Sequence, residues 1–320
     1  MEWWQAIVLG LVEGITEYLP VSSTGHLILA SGLMGLGEDA ASKNAVDDFN
    51  IIIQGGAILA VVGLYWPTCM RMLKGLFGRD PQGFMLLVNL AVAFMPAAVI
   101  GLLLRKWIKA HLFGGGPVLL ALAVGGIYML LVEQWRRGRF GIVRAPTDDV
   151  MRVSPKQALV IGFFQCVAMW PGTSRSMMTI TGGLFAGLKP KAAAEFSFLL
   201  GLPTLLAATL LSLVSNLKEA SEGGAPSIFE QYSATAIVLG MVTAAISAAL
   251  AVKWLVGFLN RHGLSLFGWY RLALCAVLGL AWWGGMVRIE PERAPPKSTT
   301  GVVEPIQWPD DAPARGGDVR

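Results

Sequence analysis

Six long apolar runs limit what this chain can fold into. A helix needs about 20 apolar residues to cross the hydrocarbon core of a bilayer, and each run approaches or exceeds that length. The runs are 49–66, 84–104, 117–135, 195–214, 233–256 and 266–287. Charged residues make up only 14% of the chain, whereas soluble domains average about 25%. The sequence therefore predicts an all-α, polytopic membrane protein.

Charge and cysteine content exclude several other classes of protein. The formal net charge is only +4, and no dense basic run with interleaved aromatic residues indicates a nucleic-acid-binding protein. The three cysteines, Cys69, Cys166 and Cys275, lie far apart. They fit neither a disulfide framework nor a metal cluster.

Two further apolar stretches are broken near their centres. Residues 5–34 are interrupted at 19–23, and residues 156–188 are interrupted at 171–176. Each stretch reads as two short helices that meet at a tip, which is a re-entrant hairpin. Non-helical backbone at membrane depth survives only where protein or a watery cavity surrounds it. We therefore expect the two tips to be buried against each other.

The two broken stretches also resemble one another, which predicts a duplication. They align at an offset of 152 residues, and the spans that follow align at an offset of 147. Aligned pairs include Gly10 with Gly162, Glu13 with Gln165, Ser22 with Ser174, and Phe49 with Phe196. Each half then holds one hairpin and three transmembrane helices. Because three is an odd number, the second half must be inverted in the membrane, as in other inverted-topology repeats.

Loop charges give an independent prediction of the topology. Loops 67–83 and 136–155 are basic and are therefore expected on the cytoplasmic side. Loops 35–48 and 215–232 lean acidic, as expected outside, while the basic loop 105–116 disagrees.

These patterns divide the chain into four predicted parts. They are a first repeat at 1–135, a basic cytoplasmic loop at 136–155, a second repeat at 156–287 and a tail at 288–320. The tail is proline-rich and mixed in charge, so we expect it to be disordered.

The first tip concentrates polar residues that a membrane helix does not need. Glu13 and Glu17 are four residues apart, so they share one face of a helix. An ionised side chain at the bilayer centre costs about 2.5–3.5 kcal/mol on insertion scales, so these carboxylates should face inward and meet a cation. Ser22, Ser23 and His26 follow directly. The alternative is an interfacial segment whose glutamates lie in water.

The second tip has the features of an anion site. Pro171 and Gly172 break the first helix, and Thr173 or Ser174 can cap the next one. The start of a helix presents free N–H groups and the positive end of a dipole, and the planar guanidinium of Arg175 suits phosphate oxygens. The alternative is a capped helix whose arginine reaches to the headgroups.

Together the two tips predict chemistry on a phosphorylated lipid. Carboxylates do not attract phosphate unless a cation lies between them, and Mg²⁺ prefers oxygen ligands of both kinds. His26 or a glutamate could act as acid and base, and Ser22 or Ser23 as nucleophile. The residues indicate hydrolysis of a phosphoanhydride or phosphoester. The rival interpretation is a flippase or transporter for polyprenyl phosphates, since broken helices in inverted repeats also build transporters.

The segments GLVEGITEYLPVSSTGHL and WPGTSRSMMTITGG resemble the two signature regions of the undecaprenyl-pyrophosphate phosphatases, the bacterial bacitracin-resistance family. The resemblance covers about residues 5–285. Together with the residue chemistry, it gives the following expected site. The catalytic residues are Glu13, Glu17, Ser22, Ser23, His26 and Arg175; the diphosphate-binding residues are Thr24, Gly172, Ser174, Arg175, Ser176 and Thr179; and the metal ligands are Glu13 and Glu17.

The resemblance also implies an activity and a location. Enzymes of this family remove the terminal phosphate from the C55 isoprenyl diphosphate carrier, which is recycled for peptidoglycan and other cell-wall polymers, and they need Mg²⁺ or Ca²⁺. The expected location is the bacterial inner membrane, with a site that opens to the periplasm or exterior, and a homodimer is left open. In the expected mechanism, Arg175 and the helix start after Gly172 hold the diphosphate. Ser23, assisted by His26, or else water, attacks the distal phosphorus.

Overall fold

The computed structural model describes residues 1–37, 40–139, 147–221, 231–287 and 289. Within these residues the regular structure is helical, apart from one isolated β-bridge between Thr147 and Leu188. The helices are α1 (Trp3–Tyr18), α2 (Ser23–Leu33), α3 (Ala40–Leu64), α4 (Trp66–Leu76), α5 (Pro81–Leu112), α6 (Gly115–Gln134), α7 (Pro155–Val167), α8 (Arg175–Phe185), α9 (Pro190–Ser221), α10 (Ala234–His262) and α11 (Ser265–Trp283).

Six of these helices are long and apolar enough to cross a membrane, and they coincide with the six predicted runs. The spans are Ser42–Leu64, Pro81–Leu104, Gly115–Gly138, Pro190–Lys218, Ala234–His262 and Ser265–Trp283. Large apolar side chains such as Leu103, Leu250 and Leu280 point away from the protein. Such a surface suits lipid rather than water. The prediction of an all-α, polytopic membrane protein is confirmed.

Both broken stretches form pairs of short helices, as predicted. The chain breaks between α1 and α2, and again between α7 and α8. Ser22 and Ser174 start the second helix of each pair, where their hydroxyls accept from the backbone N–H groups of Gly25 and Met177. Both serines have positive φ, 74° and 76°, a conformation that is costly for a residue other than glycine. The aligned serines therefore share one strained cap geometry.

The two halves are interleaved rather than side by side. Helix α1 packs against α10 of the second half, and α7 packs against α5 of the first half. Glycines allow both close approaches: a Cβ atom at Gly10 would strike the carbonyl oxygen of Gly240, and one at Gly162 would strike that of Ala93. Gly10 and Gly162 are an aligned pair of the predicted duplication, which stays a prediction. Insertion of the two halves from opposite faces stays a prediction.

Replacing Gly10 with alanine should destabilise the protein. The added methyl group has no room beside Gly240, and overpacking of this kind costs about 1–3 kcal/mol. Gly257→Ala on α10 is the matched control, because a methyl group added at Gly257 would meet no atom within 4 Å. Thermal unfolding in detergent should show a lower midpoint for Gly10→Ala and an unchanged or higher one for Gly257→Ala. Equal midpoints would contradict close packing of α1 on α10.

One predicted loop contains a helix. Helix α4 occupies most of the loop predicted at 67–83, because its apolar residues fall on one face and its basic residues on the other. Arg71 donates to Asp80 at 2.7 Å, and Asp80 accepts from the N–H of Gly83 to cap α5. The hydrogen bond from Arg71 is the main reason that the pKa of Asp80 falls to about 2.

The other predicted loops are described only in part. Helix α3 already begins at Ala40, so most of the loop predicted at 35–48 is helical. Residues 140–146 and 222–230, which belong to two predicted loops, lie outside the described residues, as does the tail except for residue 289.

A buried carboxylate fixes the start of α11. Glu133, at the end of α6, accepts hydrogen bonds from Arg136 and Arg137 at 2.7 and 2.9 Å. It also accepts from the backbone N–H of Leu264 at 3.1 Å. A negative charge is favourable at the N-terminus of a helix. This contact holds α11 against α6, and α11 passes behind the two tips.

Candidate active site

The tips of the two hairpins meet inside the protein. Arg175 Nη2 donates to Glu17 Oε1 at 2.9 Å, and both side chains are largely buried. Ser176 Oγ donates to the carbonyl oxygen of Leu19 at 2.8 Å. These bonds join the acidic tip to the basic tip, so the prediction that the tips are buried against each other is confirmed.

A cleft of about 160 Å³ lies between the tips. Its lining includes these residues of the predicted site: Glu17, Ser22, Ser23, Thr24, Gly172, Ser174 and Arg175. Gln54, Ala168, Trp170, Pro171 and Leu205 complete it. The cleft is thus polar where the tips meet and apolar toward Ala168 and Leu205, which suits a ligand with a charged head and an apolar tail.

Three groups hold the guanidinium of Arg175 in place. Besides its bond to Glu17, Arg175 donates through Nη1 to the carbonyl oxygen of Ser197 at 2.9 Å. Its plane lies over the ring of Tyr18, with 5.4 Å between Cζ and the ring centroid. A guanidinium has five N–H donors, so donors remain after these two bonds, and Nε is buried with no partner among the described residues. Arg175 is therefore oriented in advance and still able to bind an anion.

Ser23 is linked to Arg175 through Glu17. The Ser23 hydroxyl donates to Glu17 Oε2 at 2.8 Å, while Oε1 of the same carboxylate accepts from Arg175. The carboxylate can therefore receive the proton of Ser23, and the guanidinium keeps that carboxylate in place. A nucleophile bonded to a base that a third group orients is the arrangement typical of covalent catalysis.

The hydrogen-bond partners of His26 differ from the predicted partner, Ser23. Its Nδ1 lies 2.7 Å from the carbonyl oxygen of Ser22, and its Nε2 lies 2.7 Å from the hydroxyl of Tyr270. A carbonyl can only accept, so Nδ1 carries the hydrogen, and Nε2 of the neutral ring accepts from Tyr270. Both ring nitrogens are bonded to groups other than Ser23, and assistance to Ser23 by His26 stays a prediction. His26 here holds the strained backbone of Ser22.

Ser176 and Thr179 lie outside the cleft. Both side chains are fully buried. The Thr179 hydroxyl bonds the Ser197 hydroxyl at 2.5 Å and the carbonyl oxygen of Arg175 at 2.9 Å, while Ser176 joins the two tips. Contact of these two residues with the diphosphate stays a prediction, since their hydroxyls bond other groups of the protein here. They support the tip that carries Arg175.

Glu13 has the properties expected of a cation ligand. It is 1% exposed, and neither of its carboxylate oxygens accepts a hydrogen bond from a described residue. The Gln54 amide is its neighbour but makes no bond of ordinary hydrogen-bond geometry. The described residues hold no group of three or more His, Cys, Asp or Glu side chains suited to a metal. Mg²⁺ often binds through one or two carboxylates together with water and substrate phosphate, and the residues present fit that pattern.

Three polar residues near the site were not predicted from the sequence. Gln54 lines the cleft, and Tyr270 and Arg271 of α11 contact the two tips. Arg271 could have been found, because it is an ionisable residue within the apolar run 266–287 and such residues are usually functional. Tyr270 offered no comparable signal, since tyrosine is common in transmembrane helices near the interface.

Comparison with known proteins identifies the family. The family model described as "Bacitracin resistance protein BacA" matches residues 6–277, which is most of the chain and includes both tips. The chain belongs to the BacA family. The predicted resemblance is thereby confirmed.

Several curated relatives of this chain have names that describe an enzyme activity. A protein of Sorangium cellulosum is 46% identical over 281 residues, covering 87% of this chain and 86% of its own, and is named undecaprenyl-diphosphatase. A protein of Rhodospirillum rubrum, named undecaprenyl-diphosphatase 2, is 44% identical over 283 residues, covering 88% and 96%. A protein of Acinetobacter baumannii, also named undecaprenyl-diphosphatase, is 41% identical over 277 residues, covering 87% and 94%.

Proposed function

We propose that this protein hydrolyses undecaprenyl diphosphate to undecaprenyl phosphate and inorganic phosphate. One observation carries the proposal: Ser23, Glu17 and Arg175 form a continuous series of hydrogen bonds beside a cleft in a membrane protein. A nucleophile, a base and an anion-binding group are thus within reach of one ligand. The similar proteins named undecaprenyl-diphosphatase favour this function over the flippase alternative.

The second tip binds the diphosphate. Arg175 offers its remaining N–H donors, and α8 begins at that residue, so the positive end of the helix dipole faces the cleft. Gly172 and Ser174 add the wall of the cleft on this side, and Thr24 lies opposite. Donors fixed before the substrate arrives stabilise the charge that develops on the phosphoryl oxygens, which is the main source of catalysis in phosphoryl transfer.

Ser23 carries out the chemical step. Its oxygen forms a bond to the distal phosphorus as its proton passes to Glu17, and the bond from that phosphorus to the bridging oxygen breaks. Undecaprenyl phosphate leaves with the bridging oxygen and its electron pair. Glu17 gives that proton to the departing undecaprenyl phosphate and becomes a carboxylate again. Water then attacks the phosphorus of the phosphorylated serine and gives a proton to Glu17. The bond from phosphorus to the serine oxygen breaks, and Glu17 returns the proton to that oxygen as inorganic phosphate leaves. The 2.8 Å bond between Ser23 and Glu17 supports the proton transfer between them.

A divalent cation, Mg²⁺ or Ca²⁺, belongs to the proposal. Glu13 would hold it, together with Glu17 on the same face of α1, because the oxygens of Glu13 are buried and otherwise unpaired. When bound, such a cation neutralises charge on phosphate oxygens.

Removing the cation should abolish phosphate release. We expect activity to disappear with excess chelator and to return with Mg²⁺ or Ca²⁺. Glu13→Gln should raise the cation concentration needed for half-maximal activity by about 10–100-fold. Glu195→Gln is the control, since Glu195 is a partly buried acid that pairs with Lys191 away from the cleft. A Glu13→Gln enzyme with an unchanged cation requirement would exclude Glu13 as a ligand.

The location follows from the family and the substrate. We place the protein in the bacterial inner membrane, with basic loops in the cytoplasm and the cleft open toward the periplasm. There it would recycle the lipid carrier for peptidoglycan and other cell-wall polymers. Because the product is a monophosphate, high levels of the enzyme would confer resistance to bacitracin.

One assay tests the proposed function. Detergent-purified protein is given undecaprenyl diphosphate in the presence of Mg²⁺, with no membrane and no gradient, and inorganic phosphate is measured. A phosphatase releases phosphate under these conditions, whereas a flippase releases none. Trapping the phosphorylated protein and mapping the modified residue then tests Ser23: a phosphate on another residue, or on none, would overturn its role as nucleophile.

A further inference from the structure

Arg271 is a fully buried arginine without an acidic partner among the described residues. Its side chain is 0% exposed in the middle of the apolar helix α11. Nη2 donates to the carbonyl oxygens of Gly172 at 2.7 Å and Ala121 at 3.1 Å. Nε and Nη1 have no partner among the described residues, and no described carboxylate forms an ion pair with this guanidinium. A buried charge of this kind costs folding free energy, so we expect a functional reason for its presence.

The position of Arg271 connects it to the cleft. Gly172 lies in the break of the second hairpin, where its φ of +92° turns the chain, and it lines the cleft beside Arg175. The bond from Arg271 fixes the carbonyl of this turn. The positive charge of Arg271 lies behind the same wall, so a diphosphate in the cleft would supply an opposite charge that no described residue provides.

Tyr270 makes the equivalent contact with the first hairpin. Its hydroxyl bonds His26 Nε2 at 2.7 Å, and the two rings are stacked with their planes 6° apart. Through Nδ1, His26 bonds the carbonyl oxygen of Ser22, whose φ is +74°. Each break therefore has a residue of positive φ whose carbonyl is bonded, directly or indirectly, from α11. Arg271 bonds the carbonyl of Gly172 directly, and Tyr270 acts on the carbonyl of Ser22 through His26.

We infer that Tyr270 and Arg271 are positioning residues for the hydrolysis reaction. Adjacent on one helix, they hold the two tips in the geometry that brings Ser23, Glu17 and Arg175 together, and Arg271 adds positive potential for the diphosphate. This inference rests on the proposed function. Both residues act through other groups, because Arg271 is sealed from the cleft and Tyr270 contacts His26 rather than the cleft wall.

Tyr270→Phe is the mildest test. It removes one hydroxyl and keeps the stacked ring, so the protein should fold with an unchanged melting midpoint. We expect kcat for phosphate release to fall about tenfold, the effect of losing one positioning hydrogen bond, with little change in KM. Tyr128→Phe is the matched control, because its hydroxyl is buried with no hydrogen-bond partner among the described residues. The control should keep the kcat of the wild type.

Arg271 needs two variants. Arg271→Met removes both the charge and the bond to Gly172, and misplacement of a site by about 1 Å can cost about 100-fold, so we expect a loss of that size in kcat/KM per folded molecule. Arg271→Lys keeps the charge and can still donate to Gly172. It should recover about tenfold of the loss. Arg261→Met, at the exposed end of α10, controls for loss of a positive charge.

The outcomes separate the inference from the proposed function. Wild-type protein that releases no phosphate would refute the proposed function. If the wild-type protein is active and Tyr270→Phe has the same kcat as Tyr128→Phe, the inference is overturned. It is also overturned if the kcat/KM of Arg271→Lys is no higher than that of Arg271→Met. If Arg271→Met fails to fold, the comparison of Tyr270→Phe with Tyr128→Phe decides. Lower kcat at unchanged melting midpoint in Tyr270→Phe, together with rescue by lysine, supports it.

Discussion

Replacing Arg175 with lysine should lower kcat/KM for undecaprenyl diphosphate by about 100- to 1,000-fold, the effect of removing a preorganised donor from an anion site. Lysine keeps the charge but not the planar fork. Arg175 donates from separate nitrogens to Glu17 and to Ser197 while its plane lies over Tyr18. An ammonium group cannot reproduce these directions, so both the diphosphate and Glu17 would lose their alignment.

Steady-state phosphate release by purified protein measures this effect. Arg71→Lys is the matched control, because Arg71 also binds a carboxylate, Asp80, but does so at the surface and far from the cleft. Solvent screens an exposed ion pair of this kind, so a change in it should leave kcat/KM unchanged. If Arg175→Lys were folded and fully active, Arg175 would not bind the diphosphate.

Glu17→Gln should have the second large effect. The amide has nearly the same shape, but it cannot take the proton of Ser23 and it leaves Arg175 without a counter-charge. Loss of a general base costs about 10²–10⁴-fold in rate. Breaking a buried ion pair by removing one partner costs about 3–5 kcal/mol of stability. We therefore expect both kcat and the melting midpoint to fall, as measured by phosphate release and thermal unfolding in the same detergent.

A second buried glutamate separates these two effects. Glu133 is fully buried, binds Arg136 and Arg137 just after α6, and accepts from the N–H of Leu264 at the start of α11, outside the cleft. Glu133→Gln should lower the melting midpoint but keep the kcat of the folded protein close to that of the wild type. If Glu17→Gln behaved in the same way, Glu17 would be an anchor for Arg175 and not the base for Ser23.

Residue patterns along the chain predicted the elements of this fold. Spans follow from the length of apolar runs, and hairpin breaks follow from Pro20 and from Pro171 with Gly172, which disfavour a continuous helix. The meeting of Glu17 and Arg175 followed from the cost of charge in lipid, although they are 158 residues apart. These predictions depend on local composition and on a penalty that any fold must avoid.

Partners of individual side chains could not be predicted in this way. Thr179 was expected at the diphosphate, but α8 packs on α9 and the Thr179 hydroxyl bonds Ser197. Ser23 and His26 are close in sequence, yet Ser23 bonds Glu17 while His26 bonds Tyr270, which is 244 residues away. The hydrogen-bond partner of each side chain depends on which helix packs behind the tip, and the local sequence pattern does not predict that helix.

The interleaving of the two halves has a consequence for biogenesis. The Ser247 hydroxyl of α10 donates to the carbonyl oxygen of Gly10 in α1, 237 residues earlier. Arg175, which forms the ion pair with Glu17, is likewise synthesised 158 residues after it. When the ribosome has delivered only the first half, the acidic hairpin has neither its packing surface nor its counter-ion. We therefore expect the hairpin to reach its final packing only after most of the chain has been synthesised. A product truncated before α10 should be recognised as incomplete and degraded.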